Sequence, residues 1–473
     1  MTAGVPAAAE TNPAAIDSSP HLERRLGPWS LWGLGVGYVI SGEYFGWNLG
    51  LPQGGAASLL IAFGLATTMY VAFVLSYVEL ACAIPRAGGG FTYALRGLGP
   101  FAGWMTGIAQ AVEFVFAPPA IAMATGAYAA LWLPGWDPRG MAILAMTMFT
   151  ALNMWGVRQA ALFELVVALF AMGELALFIG VTGPYVRVEN LFPAGESATF
   201  AGVFASLPFA IWFYLAIEGV ANAAEEARNP QRDVLLGFGW ALATLVVLAG
   251  GVLICAIGVG GWERIVYVPG DLLTTSTGLT IREGATPSDS PLPLAIAQVY
   301  SASHPLYQLL VGVGGLGLIC SLNGILFAAG RAVMAMGQSG MLPGILGRIH
   351  ATRHTPVPAL ALNWLLGVMA ILFLDTAGLI TLSAMGGLVL YVLSMEALVR
   401  LRTREPDLPR PFRAPFYPLF PRLAQLLAGV ILAAMLWQNL GREGPWWKSL
   451  SAMFGAINLL AVAVYAPRWL RAR

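Results

Sequence analysis

Charged side chains are what this chain has least of. Asp, Glu, Lys and Arg make up 10% of 473 residues against 58% hydrophobic, and the mean hydropathy is +0.72. That mix excludes an ordinary soluble domain and points to a polytopic membrane protein. Lysine is nearly missing, with Lys448 the single example, and the net charge is +1. No basic patch for nucleic acid can be built from that. Cys82, Cys255 and Cys320 are too few, odd in number and set in apolar runs, so they read as small core residues without a disulfide framework. His350 and His354 have i, i+4 spacing but sit in a basic loop with no third ligand nearby, which argues against a metal site. Gly88-Gly89-Gly90 lacks the lysine and the strand-to-helix setting of a phosphate loop, so no cofactor is implied. The apolar runs hold isolated carboxylates. They show neither the continuous polar stripe of a channel nor the clustered nucleophile and base of a membrane enzyme.

What the chain does have is apolar length. A membrane-spanning helix needs about 20 apolar residues, and twelve segments qualify: roughly 28–51, 57–84, 100–133, 140–157, 159–183, 201–224, 234–260, 306–336, 357–374, 377–400, 419–439 and 446–466. The first twenty residues are rich in Ala, Pro and Ser, lack a basic leader region and precede a run too long for a signal peptide. They read, with the rest of 1–26, as a cytoplasmic tail. With both termini inside, the inner loops take Arg24, Arg25, Arg86, Arg96, Arg158, Arg228, Arg232, Arg331, Arg348, Arg353, Arg400, Arg402, Arg404, Arg410, Arg413, Arg422, Arg468, Arg471 and Arg473. Only Arg139, Arg187, Arg264, Arg282, Arg442 and Lys448 fall outside, and that asymmetry supports the span count and the orientation. The longest outer loop, about Gly261 to Pro305, reads as solvated rather than as a cap.

Two of the apolar segments are interrupted. Ser41-Gly42-Glu43 stands in the middle of the run from Leu31 to Leu51, where an unbroken helix wants neither the small pair nor the acid. In hydrocarbon each unpaired backbone group costs several kcal/mol, and a charged side chain at the bilayer centre costs about 2.5–3.5 kcal/mol on insertion scales. A break survives at that depth only when protein or a watery cavity surrounds it. The sixth segment answers with Pro208-Phe209-Ala210-Ile211-Trp212-Phe213-Tyr214-Leu215-Ala216-Ile217-Glu218-Gly219, again an acid and a glycine inside a membrane-length run. Interrupted helices at matching positions in two halves point to a transporter site at the repeat interface. The pattern divides the chain into two five-helix repeats, 27–185 and an inverted 200–401, followed by helices 11 and 12 over 419–467 and a tail at 468–473. Half-helix ends in the breaks offer free N–H and C=O groups to a bound solute.

At this point the residues also resemble a family. Ile40-Ser41-Gly42 stands where permeases of the amino acid/polyamine/organocation (APC) superfamily carry a glycine-rich break. Glu79 to Gly90 is similar to their loop after span 2, and Gly99-Pro100-Phe101 to their start of span 3. Glu218 with Ala224-Glu225-Glu226-Ala227-Arg228-Asn229-Pro230-Gln231-Arg232 looks like their span-6 ending. Ser321-Leu322-Asn323-Gly324 and Ala335 to Pro343 look like their span-8 ending. The run Ile40 to Asn48 most resembles the ethanolamine permease branch. The resemblance implies an all-α LeuT-like fold with broken helices 1 and 6, and uptake of ethanolamine or a similar small amine across a bacterial cytoplasmic membrane by alternating access. The alternative is an amino acid permease of the same superfamily, for which Glu43 would be an awkward neighbour of the substrate carboxylate. A carrier turned sensor would look the same.

The candidate substrate-binding residues follow. Ile40, Ser41 and Gly42 frame the first break, and Glu43 either supplies the negative group that pairs with an ammonium or is a structural hydrogen-bonder. By resemblance Trp212 is the aromatic gate over the substrate, with an ordinary core tryptophan as the other reading. Phe213, Tyr214 and Leu215 would then contribute carbonyls from the unwound turn, and nearby aromatic faces suit an ammonium. Gln110 and Glu113, spaced i, i+3, share a face of span 3, and Pro118-Pro119 should kink that helix. By resemblance Gln110 contacts substrate. Glu113 stands equally as a second ammonium partner, a proton carrier or interhelical glue. Asn323 and Gly324 either line the cavity or let helices approach closely. For coupling, Glu218 is the first candidate protonation switch. Some family members use a span-5 lysine in place of sodium, but Ala171 stands at that position here, and the span carries Glu164 and Glu174 instead. Glu174 is thus a second coupling candidate, or simply a packing carboxylate. Expected partners are a small cationic amine, the lipid bilayer and, as a coupling ion, the proton. Proton symport, antiport and facilitated diffusion stay open, as does the oligomeric state.

Overall fold

The computed structural model describes residues 26–86, 88–156, 160–275, 278–440 and 449–471. The expected cytoplasmic tail up to residue 25, the residues past 471, Arg24, Arg25, Arg158, Arg442, Lys448 and Arg473 lie outside the described residues. The molecule is a bundle of helices: α1 Pro28–Val39, α2 Ser41–Tyr44, α3 Leu51–Ala83, α4 Gly90–Leu98, α5 Pro100–Trp132, α6 Pro138–Trp155, α7 Ala160–Thr182, α8 Val188–Leu191, α9 Phe200–Trp212, α10 Pro230–Gly260, α11 Trp262–Val266, α12 Pro291–Ile296, α13 Pro305–Gln338, α14 Val357–Phe373, α15 Thr376–Arg404, α16 Leu419–Leu440 and α17 Leu450–Arg471. A small antiparallel pair, β1 Leu272–Thr275 and β2 Gly278–Ile281, sits between α11 and α12 with Leu272 opposite Ile281. Local chemistry starts many of the helices. Proline, whose missing N–H costs nothing in the first turn, opens α1, α5, α6, α10, α12 and α13. Asp137 caps α6 through the Gly140 N–H and Asp375 caps α15 through the Gly378 N–H, each at 2.8 Å.

Among the described residues, eight helical segments are long and apolar enough to cross a membrane, and Val357–Phe373 and Leu450–Ala463 are shorter apolar helices. Each of the twelve apolar sequence segments contains helix. Large apolar side chains such as Phe170, Val247, Trp437 and Leu459 point outward, each more than 60% exposed. That is the reverse of a water-soluble surface and suits contact with lipid.

Two local expectations change. Spans 1 and 2 are not separated by a loop: the 3-10 turn Trp47–Gly50 runs straight into α3, and the chain bends at Gly55 (φ 76°, ψ 177°). Pro118 and Pro119 lie inside α5, which stays helical from Pro100 to Trp132. The outer stretch 261–305 is not merely solvated. Ser288 donates its N–H to the Val266 carbonyl (2.7 Å) and its own carbonyl accepts from Asn48 Nδ2 (2.8 Å), while Thr376 Oγ donates to Asp289 Oδ2 (2.7 Å). Burial raises the Asp289 carboxyl to about 6, a rise the Thr376 hydroxyl limits. The segment therefore lies on the bundle as a cap, held by groups whose partners are far apart in sequence.

Buried polar side chains concentrate around the broken helices. Glu43, Glu113, Glu164, Glu174 and Glu218 are all buried, and no Lys, Arg or His is among the buried residues described. Arginine appears instead at one end of the bundle. There Arg402 and Arg410 pair with Glu79, Arg331 with Glu226 and Arg96 with Glu405. At the same end Leu26 is stapled to the stretch after the second break, its N–H donating to the Glu226 carbonyl (2.9 Å) and its carbonyl accepting from Arg228 N (2.8 Å).

Candidate functional site

The first break is built in two steps. Ile40 keeps helical torsions (φ −57°, ψ −22°), but the Ser41 N–H donates to Ser321 Oγ (3.0 Å), and the Ser321 hydroxyl donates to the Gly37 carbonyl (2.6 Å). A side chain from α13 is thus spliced into the ladder of α1 at the site where the expected interruption stands, so the chain bends there without unwinding. The full break comes later, at Phe45 (φ −160°) and Gly46 (φ 91°). A side chain at Gly46 would be strained by the torsion and would meet the Trp212 indole at 2.5 Å. Gly42 is needed for approach rather than torsion, since a Cβ there would lie 2.5 Å from the Trp212 carbonyl oxygen. Asn48 holds the turn by accepting the Gly46 N–H (3.0 Å). Glu43 lies between these steps, fully buried, and neither carboxyl oxygen has a hydrogen-bond partner.

The second break begins where α9 ends at Trp212. Ala216 takes a left-handed conformation (φ 74°), and the chain continues as the 3-10 stretch Ile217–Glu226. Trp212 meets Phe45 edge-on at 5.5 Å, and its indole N–H has no partner. Phe213 stacks on Trp47 at 6.0 Å, and the Tyr214 hydroxyl bonds Thr67 Oγ1 (2.8 Å). The Tyr214 carbonyl accepts the Ile217 N–H within the turn (3.3 Å).

Between the two breaks lies a cavity of about 10 Å³, lined by Tyr38, Val39, Ser41, Ala117, Trp212, Leu215, Ala216 and Ile325. That is room for about one water, so the walls are closed together. Of the residues expected to bind solute, Ser41, Trp212 and Leu215 border it. Ile40, Gly42 and Glu43 lie buried beside it, while Phe213 and Tyr214 turn toward α3.

Gln110 and Glu113 are both buried on α5. The Glu113 carboxyl lies within hydrogen-bonding reach of that of Glu218, which accepts from the Tyr391 hydroxyl at Oε2 (3.0 Å). The Tyr391 hydroxyl in turn meets that of Tyr70 (3.1 Å). Glu174 is placed elsewhere: the Tyr44 hydroxyl donates to its Oε2 (2.5 Å) and lies 3.1 Å from the Ala171 carbonyl. Glu174 also borders a second cavity of about 10 Å³ with Tyr128, Phe178 and Leu292. Glu164 faces Gly37 and Gly324, with Oε1 unpartnered. Asn323 accepts from Asn153 Nδ2 (2.9 Å) rather than bordering the cavity between the breaks. Sequence reasoning gave Ser321 no role of its own and missed Tyr391, Tyr70 and Tyr38. A hydroxyl in an apolar run was the one available signal for each, and such residues are common in the chain.

Interrupted helices meeting at a buried acidic centre describe a solute site rather than a catalytic one, and comparison with known proteins agrees. Residues 26–461 match the amino acid permease family model. The chain belongs to that family. It is an integral multi-pass membrane protein and a secondary transporter of the APC superfamily, not an enzyme. It is 26% identical to the methylthioribose transporter of Bacillus subtilis, over 96% of each chain, and 25% identical to the branched-chain amino acid permease of the same organism, over 92% of each. A vacuolar cationic amino acid transporter of Arabidopsis thaliana is 27% identical over 82% of this chain and 61% of its own.

Proposed function

We propose that the protein is a secondary active permease that recognises a small solute through its ammonium group, an amino acid being the solute class its relatives favour. The observation that carries this reading is Glu43: a carboxyl buried at the first break, without a partner, in an interior where no Lys, Arg or His is among the buried residues described. An ammonium brought to it gains a charge-assisted bond. Trp212 and Phe45 add aromatic faces worth about 0.5–2 kcal/mol to a cation. Ser41, Gly42 and Ile40 would shape the site from the first break, Leu215 from the second, and Gln110 from α5.

The same acid favours a second reading, ethanolamine. That solute has an ammonium and a hydroxyl but no carboxylate to be repelled by Glu43. Both readings share one transport scheme. Of twelve spans, with both termini in the cytoplasm, the first ten form repeats 27–185 and 200–401 that rock about the breaks and import solute across the cytoplasmic membrane, with Glu218 and Glu174 as candidate carriers of a coupling proton. The inner clustering of arginine supports the orientation.

Counterflow of labelled alanine, leucine, lysine, glutamate, putrescine and ethanolamine into proteoliposomes, with and without a pH gradient, tests this. Exchange of one or more ammonium-bearing solutes, with glutamate excluded, is expected. Preference for glutamate, or exchange of none, would overturn it. Ethanolamine exchange without amino acid exchange would select the second reading.

A further inference from the structure

We propose that Glu113 and Glu218 are one proton-binding site, a carboxyl pair that holds a single proton between α5 and the second break. The two carboxyls lie within hydrogen-bonding reach of each other. Both oxygens of Glu113 and Oε1 of Glu218 are buried and have no hydrogen-bond partner while both groups are ionised. A proton on either one supplies the missing donor, turning two opposed acceptors into an O–H···O bond. Two like charges in contact in a low-dielectric interior do not coexist without a compensating cation.

The surroundings offer none. Tyr391 reaches the pair from α15, Tyr70 of α3 bonds the Tyr391 hydroxyl, and Tyr214 stands beside Tyr70. All are neutral hydroxyls, and the Tyr70–Tyr391 bond aligns one donor on Glu218. Glu113 cannot retreat by a shift of α5. Gly386 packs against the Ala109 carbonyl and the Glu113 backbone so closely that a Cβ there would lie 2.6–2.7 Å from both, and Ser383 Oγ donates to the Glu113 carbonyl (2.8 Å).

Glu218 belongs to the 3-10 stretch that follows the left-handed Ala216. Loss of the shared proton therefore pushes against the least regular part of the chain. Proton occupancy and the geometry of the second break become one variable. This assignment deepens the transporter reading by naming its coupling site, and rests on that reading for its consequence only.

Infrared difference spectra of the purified protein in lipid nanodiscs, titrated with pH in the absence of solute, test the pair directly. A protonated-carboxyl band that either Glu113→Gln or Glu218→Gln abolishes, with no further loss in the double variant, is expected. A band untouched by either change, or two bands each lost separately, would overturn the proposal. Tyr391→Phe keeps both carboxyls and withdraws one donor. It is expected to shift the band without removing it, and it serves should a glutamine variant fail to fold; an unmoved band would then count against the pair. Counterflow on the same preparations separates the two claims. Absent exchange with the band present ends the transporter reading alone, whereas exchange without the band ends the pair alone.

Discussion

The first break turns on Gly46 and leaves Glu43 without a partner, whereas the second turns on Ala216 and gives Glu218 a tyrosine and a second carboxyl. Both are interruptions of a long apolar run, and they touch where Gly42 meets the Trp212 carbonyl. Their difference teaches that broken helices supply geometry, while neighbours decide what the acid in each does. An isolated buried carboxyl has no bond to lose and everything to gain from an incoming cation. A paired one is already committed to a proton and responds to pH instead.

The comparison breaks most readily at Glu43. Glu43→Gln removes one partner of a buried charge pair, a change that costs about 2–5 kcal/mol in comparable settings, or about 30-fold or more in affinity. Counterflow should fall by at least that factor while gel filtration shows an intact protein; near-normal exchange would make the first break a packing feature like any other. Next comes the contact between the breaks. Gly42→Ala forces the Trp212 carbonyl aside and should cost about 1–3 kcal/mol, the usual penalty for overpacking, read as a lower melting temperature in detergent. Ala216→Gly tests the second turn from the opposite direction. A left-handed alanine costs roughly 1–2 kcal/mol relative to its ordinary conformation, so glycine there should raise the melting temperature or leave it unchanged, and a fall would mean that the turn needs its methyl group.

The smallest effect concerns the outer segment, which bonds the first break through Asn48 and has no such bond to the second. Asp289 is raised from the ordinary carboxylate range to about 6, so its neutral form is the one the fold favours. Docking of the segment is then complete at pH below that ordinary range and weakens as pH rises through about 6. Limited proteolysis of the outer loop should accelerate with pH across that window, and Asp289→Asn should flatten the profile.

Glu43, Glu218 and Trp212 stood out as site candidates because each violates its surroundings: an acid in an apolar run, or an aromatic placed by motif beside one. The position of the first break was displaced from Ser41-Gly42 to Phe45-Gly46 because Ser321, 280 residues away, replaces the ladder bond that the earlier position loses. No local pattern announces that substitution. The pairing of Glu113 with Glu218 was hidden for the same reason, and so was the left-handed turn at Ala216, a residue type that does not advertise such a conformation. The outer loop read as solvated because its serines, threonines and acids are polar. The structure satisfies several of those groups against the bundle instead of water.

By itself the sequence determined the membrane class, the helical content and the two apolar runs in which helices fail, since hydropathy and backbone propensity act locally and add along the chain. Its motifs carried the superfamily. Only the tertiary structure decided which acid stands alone and which lies against a second carboxyl, because desolvation and hydrogen bonding depend on what packs against a carboxyl, and here those neighbours come from helices remote in sequence.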